Sequence, residues 1–256
     1  MDLKSISHQV NITIKDVGAY IKKERGQVKA KEISDKSLNN LVSYVDKTAE
    51  QMLVKALKKI VPEAGFLTEE TTVAQDKKSL RWIIDPLDGT TNFLFGLPIY
   101  SVSVALAQDE DIWVGAVYIP ELDELFSATK NGGAFLNNQP ISVSKTVTIA
   151  ASLAATGFPY YKFEHLDRYM AMLEKYMRRT RGVRRLGSAA VDLAYVACGR
   201  FDFYFEFDLN PWDVAAGLLI VAEAGGKTSN FDGNSSAFSG KEILASNGTM
   251  HGVLVE

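Results

Sequence analysis

After residue 62 the hydrophobic spacing of the chain drops from helical to strand-like, and no other feature of the sequence restricts the fold as much. Leu3, Ile6, Val10, Ile14, Val17 and Ile21 recur at steps of three or four, which places one apolar stripe on an N-terminal helix. Leu38, Leu41, Val45, Met52, Leu53, Leu57 and Ile60 repeat the pattern, so a second helix is predicted to end near Pro62. Then the period becomes two. Val102, Val104 and Leu106 alternate with smaller or polar residues, residues 111–119 read as another strand, and Asn137, Asn138 and Pro140 mark a turn before a strand at 141–144. Helices followed by strands predict an α+β half over residues 1–148.

From about Ser152 strand and helix alternate. Residues 152–157 read as a strand and residues 163–177 as a helix with Leu166, Met170, Leu173 and Met177 inward. Residues 188–198 read as a helix stopped by Gly199. Phe201, Phe203, Phe205 and Phe207 alternate with Asp202, Tyr204, Glu206 and Asp208, as in a strand with one aromatic face. Pro211 suits the first position of an almost wholly apolar helix that Gly225 and Gly226 end. The second half, residues 149–256, is therefore predicted to be α/β. With no Pro- or Ser-rich linker between them, the halves are expected to pack as one body.

With 28 basic and 31 acidic side chains, the net charge of −3 leaves no positive excess to gather nucleic acid or an anionic membrane. The longest apolar run, residues 214–222, is too short to cross a bilayer. Cys198 is the only cysteine, which excludes an internal disulfide, and its apolar neighbours mark a structural thiol. The first residues, MDLKSISHQV, carry no secretory pattern, so a cytoplasmic protein with a small-molecule substrate is expected. His8, His165 and His251 read as surface residues.

The chemistry concentrates in WIIDPLDGTTNF, residues 82–93, where an apolar strand ends in Asp85 and Asp88. Two carboxylates so close repel each other unless a cation lies between them, although Asp-Pro and Asp-Gly also occur as ordinary turn chemistry. Glu69 ends another apolar segment, and Asp213 opens the apolar helix, where an acid also complements the helix dipole. Glu70 reads as solvated. Acidic side chains at such junctions, without a His- or Cys-rich cluster, point to Mg²⁺. If Gly89-Thr90-Thr91-Asn92 opens a helix, its N–H groups face an incoming anion. Cations and amides together would hold a phosphate. Asp46, beside Lys47, has an alternative reading as an exposed helix residue, and Glu206 as an outward strand residue.

Asp-Pro-Leu-Asp-Gly-Thr-Thr-Asn-Phe at 85–93 and Pro-Trp-Asp-Val-Ala-Ala-Gly at 211–217 resemble the two signatures of the inositol monophosphatase family. That family lies in the Mg²⁺-dependent, lithium-sensitive phosphatase superfamily that also holds fructose 1,6-bisphosphatases. Thr68-Glu69-Glu70 is similar to the family's Gly-Glu-Glu, and the stretch from Arg185 to Ala190 also fits, so the likeness spans nearly the whole chain. Where relatives commonly read Asp-Leu-Val-Thr, this chain reads Asn40-Leu41-Val42-Ser43, and residues 26–39 match loosely.

The resemblance implies a layered αβαβα sandwich and two or three Mg²⁺ ions. Glu69, Asp85 and the Leu87 carbonyl would hold the first ion, and Asp85, Asp88 and Asp213 the second, with Glu69 helping to bind a weaker third. Thr90, paired with Asp46, would orient the attacking water. The amides of Gly89 and Thr90 would receive phosphate oxygens, while Asp88, Ser188, Ala189, Glu206 and Asp213 would meet the substrate. The reaction implied is in-line hydrolysis of inositol monophosphate or a related sugar phosphate by a homodimer. Fructose 1,6-bisphosphate, histidinol phosphate and a non-catalytic, partner-binding role are the alternatives.

Overall fold

The computed structural model describes residues 1–37, 40–75, 78–158, 165–234 and 241–255. Asp2 caps α1 (Leu3–Glu24), its carboxylate accepting from the N–H groups of Lys4 and Ser5, and Ile6, Val10, Ile14, Val17 and Ile21 form its buried stripe. The second helix, α2 (Tyr44–Ile60), starts later than its apolar spacing predicts. Ser43 stops it from extending backwards: its hydroxyl accepts from Val45 N–H while Asp46 reaches back to Ser43 N–H, a capping box that fixes the first turn. Leu41 therefore belongs to β2 (Asn40–Ser43), paired antiparallel with β1 (Ile33–Ser37), and Leu38 lies outside the described residues.

A seven-stranded sheet follows in spatial order, made of β3 (Gly65–Thr68), β4 (Leu80–Asp88), β5 (Ser101–Gln108), β6 (Asp111–Ile119), β7 (Glu124–Thr129), β8 (Ala134–Leu136) and β9 (Gln139–Pro140). Only β3 and β4 run parallel. A short helix, α3 (Thr90–Leu94), leaves the end of β4. Residues 141–144 are not a strand: Val143 N–H is taken by Ala224 O at 3.1 Å, so this segment closes a helix end instead of a ladder.

The second sheet holds β10 (Ala154–Thr156), β11 (Val183–Arg184), β12 (Phe203–Phe207), β13 (Lys227–Ser229) and β14 (Glu242–Ser246) in the order β11-β10-β12-β14-β13. Its helices are α4 (Leu166–Arg179), α5 (Ala189–Ala197), α6 (Pro211–Glu223) and the short α7 (His251–Leu254).

Alternation along the strands assigns the layers. Trp82, Ile84, Val102, Val104 and Leu106 pack under α1 and α2, whereas Ile83, Ala105, Ala107 and Val117 pack under α5 and α6. Those two helices are covered on their other side by Tyr204, Ile243 and Ala245 of the second sheet, which is why they are apolar nearly all round. Gly217 makes their close approach possible, since a Cβ there would lie 2.6 Å from Leu193 Cβ. Phe203, Phe205 and Leu244 face outward onto α4. The result is the αβαβα sandwich.

Two sequence readings fail in the second half. The buried residues of α4 are Tyr169, Met172 and Tyr176, while Leu166, Met170 and Met177 are exposed and Leu173 is partly buried. Tyrosine reads as half-polar in a pattern, yet each ring here packs tilted or edge-on against the aromatic strand and each hydroxyl finds a partner, Tyr169 with Thr156 Oγ1 and Tyr176 with Leu254 O. His251 is buried, not at the surface. Its two ring nitrogens pair with Ser246 Oγ and Ser229 Oγ, each at 2.8 Å, and burial, followed by the nearby Lys227 charge, lowers its pKa to about 4. His8 and His165 are exposed. Among the described residues no helix is long and apolar enough to cross a membrane.

Candidate active site

In an unbroken strand, residues 85 and 88 would point to opposite faces. The pairing of β4 with β5 slips between them: Asp85 lies opposite Ser103 and Asp88 opposite Ser101, so three steps on one strand match two on the other. This bulge turns both aspartates into the same cleft. Pro86 has no N–H to give the ladder and is at home there, and Leu87 N–H donates to Asp85 Oδ1 at 2.9 Å. β4 continues through both residues to Asp88, so Asp85-Pro86 is not a turn.

Gly89 follows with φ +97°, a left-handed conformation that suits glycine, and opens α3. Thr90 Oγ1 donates to Asp46 Oδ1 and to Leu87 O, both at 3.0 Å. Asp46 is buried rather than exposed. Its Oδ2 accepts from Ser43 N–H (2.8 Å) and Ser43 Oγ (2.7 Å), and burial raises its pKa above the usual carboxylate range.

Asp88 connects the two halves. Its Oδ2 accepts from Ser188 Oγ at 2.7 Å and Ala190 N–H at 2.8 Å, in the first turn of α5. Asn92 adds a second tie, donating to Ile99 O and Leu186 O. Asp213 sits in the first turn of α6, where its Oδ2 accepts from Asn210 N–H at 2.6 Å. Glu206 is buried, accepts the Tyr204 hydroxyl and presses against Gly157, where a Cβ would lie 2.0 Å from either carboxylate oxygen.

Glu69 follows β3 and lies within hydrogen-bonding reach of Asp85. Its loop is anchored by Glu50, a residue of α2 that the sequence reading passed over. Glu50 Oε2 accepts from Glu70 N–H at 2.7 Å, and Oε1 accepts from Thr72 N–H (2.7 Å) and Thr72 Oγ1 (2.6 Å). This anchoring folds the loop inward, and Glu70 is buried instead of solvated. The available signal was Glu50 itself, an acid one turn after Asp46 between the buried Ala49 and Leu53. Asp192 was also passed over, and its signal was similar: a lone acid in the otherwise apolar α5.

Seven carboxylates and one guanidinium, Arg185, line the cleft, which brings together every predicted site residue except Asp46, reached through Thr90. Burial, reinforced by the neighbouring acids, holds Asp85 and Asp213 well above the usual carboxylate range. Burial also raises Asp88 to about 6, although its bonds from Ser188 and Ala190 pull the other way, and raises Glu206 to about 8. Such a cleft is short of positive charge. Its donor set is oxygen alone, which fits a hard divalent cation such as Mg²⁺. Among the described residues no three His, Cys, Asp or Glu side chains already form a cage, so that fit rests on donor chemistry and charge.

The acid-lined cleft of this five-layer sandwich lies at the starts of α3, α5 and α6. A model of the inositol monophosphatase family matches residues 3–256. Inositol-1-monophosphatase of Mesorhizobium japonicum is 39% identical over 240 residues, covering 93% of this chain and 90% of its own. The putative Nus factor SuhB of Neisseria meningitidis serogroup B is 40% identical over 231 residues, covering 90% and 88%. In structure, the extragenic suppressor protein suhB of Bartonella henselae superposes with a TM-score of 0.92 at 37% identity, covering 98% of this chain and 96% of its own. The chain belongs to the inositol monophosphatase family, a family of phosphatases.

Proposed function

We propose that this protein is a Mg²⁺-dependent phosphomonoesterase whose substrate is inositol monophosphate or a closely related sugar phosphate. The observation that carries the reading is the excess of carboxylate over cation in one cleft that is also lined by Thr90, whose hydroxyl Asp46 holds from behind. Glu69, Asp85, the Leu87 carbonyl, Asp88 and Asp213 are the residues that would hold two ions, with Glu69 sharing a third. When bound, Mg²⁺ supplies Lewis acidity, lowering the pKa of the attacking water and stabilising the leaving alkoxide.

The chain does the positioning. Because the Thr90 hydroxyl proton is spent on Asp46 Oδ1 and Leu87 O, its oxygen lone pairs are left to accept from a water and aim it at phosphorus. Glu69 accepts the water's other proton. The amides of Gly89 and Thr90 bind phosphate oxygens, as helix N-terminal N–H groups do. Ser188 fixes the Asp88 carboxylate, and Ser188 and Ala189, at the start of α5, face the substrate with it. Glu206 and Asp213 accept hydroxyls of the alcohol moiety.

Phosphate release from inositol 1-phosphate, fructose 1,6-bisphosphate and histidinol phosphate, with and without Mg²⁺, tests the reading. Mg²⁺-dependent turnover fastest on inositol 1-phosphate is expected. Equal rates on all three would remove the inositol assignment, and no release from any would remove the phosphatase. The Nus-factor name of a 40% identical relative favours a second reading, a role in binding the transcription machinery. That reading expects a variant without turnover to keep the partner.

A further inference from the structure

Asp85 and Asp88 each have a buried serine directly across from them on β5: Ser103 is paired with Asp85 and Ser101 with Asp88. Opposite residues of an antiparallel pair project to the same face, so both hydroxyls lie on the side covered by α5 and α6. The next two residues on that face, Ala105 and Ala107, are just as buried and carry no polar side-chain atom. Alanine therefore suits the face where only packing is needed. A buried hydroxyl there costs stability unless it finds a partner. Ser101 and Ser103 both find one, and in each case it belongs to the start of a helix of the second half.

Ser101 Oγ lies 3.2 Å from Ser188 Oγ, and the direction of that bond follows from counting protons. Ser188 has one hydroxyl proton, which goes to Asp88 Oδ2 at 2.7 Å, an oxygen that only accepts when the carboxyl is ionised. Ser101 is then the donor, and the relay runs from Ser101 through Ser188 to Asp88. Ser188 Oγ also accepts from Val191 N–H at 3.4 Å as the N-cap of α5, so Ser101 steadies the cap as well. With Oδ2 occupied by Ser188 and by Ala190 N–H, Asp88 keeps Oδ1 for an ion. Ser103 makes the matching contact at α6, where its Oγ donates to Trp212 O at 3.3 Å, one residue before Asp213. One turn further on, Gly115 of β6 lets the same helix settle onto the sheet, since a Cβ there would lie 2.9 Å from Ala216 O. Asp213 Oδ2 is held by Asn210 N–H at 2.6 Å, so the carboxylate goes where the helix start goes.

We propose that Ser101 and Ser103 are positioning residues: they tie the starts of α5 and α6 to the strand opposite Asp85 and Asp88, and so hold Asp88 and Asp213, which belong to different halves of the molecule, at the spacing a shared divalent cation requires. Neither serine lines the cleft, and each acts through a group that does, Ser188 or the first turn of α6. This rests on the reading of Asp88 and Asp213 as ion ligands and deepens it by naming what sets their separation. Groups that orient a metal ligand without touching the ion are worth about 10- to 100-fold in metal affinity.

The test is calorimetric titration of Mg²⁺ into the substrate-free protein, alongside thermal unfolding, for wild type, Ser101→Ala, Ser103→Ala, their double variant, and Ser188→Ala with and without Ser101→Ala. Each of the first two variants binds Mg²⁺ roughly 10-fold more weakly, with Tm lowered by about 4 °C at most, since each loses one neutral hydrogen bond. Their double variant loses roughly 100-fold, because the two serines act on different helices. On a Ser188→Ala background, Ser101→Ala adds less than about twofold, because its route runs through that hydroxyl. Unchanged Mg²⁺ affinity in Ser101→Ala or in Ser103→Ala overturns the proposal, whatever happens to Tm, and leaves the phosphatase reading standing. A full further loss on the Ser188→Ala background overturns it too. If the variants weaken Mg²⁺ binding but wild type releases no phosphate from inositol 1-phosphate, the positioning role stands and the phosphatase reading fails. A wild type that takes up no Mg²⁺ overturns both.

Discussion

Asp202 and Asp192 are both buried aspartates of the second half, and their surroundings are opposite. Asp202 has a donor for each oxygen: Ser144 Oγ at 2.5 Å for Oδ1 and Leu153 N–H at 2.6 Å for Oδ2. Asp192 has none for Oδ1. The contrast extends further. Glu50 holds three donors and His251 has a partner on each ring nitrogen, whereas Glu69, Asp85, Asp88 and Asp213 face one another across a cleft with a single guanidinium. Asp202, Glu50 and His251 are satisfied by the protein, whereas the negative charge gathered in the cleft exceeds what its one guanidinium can balance. Unmet polar capacity that the fold does not require is what a binding site looks like before its ligands arrive.

The largest effect should come from Asp88→Asn. The amide oxygen can still accept from Ser188 and Ala190, so the tie between the halves survives while one negative charge leaves the cleft. Phosphate release is expected to fall about 10³-fold, with Tm unchanged or raised because repulsion is relieved. Turnover close to wild type would place the reactive end of the cleft elsewhere. Asp202→Ala should do the reverse. It strips partners from Leu153 N–H and Ser144 Oγ, and a loss of about 3 kcal/mol in urea unfolding is expected with kcat retained at low temperature. If kcat collapses while stability holds, the division between scaffold and cleft is wrong.

Glu50→Gln lies between the two. One of three donors meets an NH₂ group instead of an oxygen, which should cost about 1–2 kcal/mol and loosen the loop that carries Glu69. A roughly 10- to 100-fold drop in apparent Mg²⁺ affinity, read from activity against Mg²⁺ concentration, is expected from a residue that orients a ligand without touching the ion. An unaltered Mg²⁺ dependence would make Glu50 purely structural.

Much of this was legible in the sequence because it follows from local periodicity. Stripes at three and four gave α1, and alternating phenylalanines gave the aromatic strand β12. The motif at 85–93 and Asp213 were visible because acids at the ends of apolar segments stand out. What escaped depends on partners distant in sequence. The bulge that turns Asp85 and Asp88 the same way is a slip against β5, and nothing in the β4 segment alone encodes it except a permissive Pro86. The start of α2 was missed because Ser43 outweighs an apolar spacing that continues past it. The inward face of α4 was misread because tyrosines are judged by their hydroxyls until an aromatic sheet is placed beneath them. Glu50 and Asp192 looked like helix acids of no consequence, since burial of one helix face is set by the layers around it.

The one prediction that leaves turnover untouched concerns His251 and tests the scaffold side of the contrast through pH. The folded ring has its pKa lowered to about 4, and in the unfolded chain it should titrate near its ordinary value of about 6.5. Above that value both states hold the ring neutral and its contribution is complete. As pH falls below about 6.5, the unfolded chain takes up a proton that the folded one refuses, so stability drops until about pH 4. The loss assignable to this residue should be roughly 2 kcal/mol, less than the whole shift would give, because the Ser229 and Ser246 hydroxyls can turn to accept from a charged ring. Urea unfolding of wild type and His251→Gln between pH 4 and 7.5 isolates it: the variant starts less stable at pH 7.5, and the two curves converge as the pH falls. Curves that stay parallel through that window would mean that the ring titrates as if solvated, and His251 would no longer count among the groups the scaffold satisfies by itself.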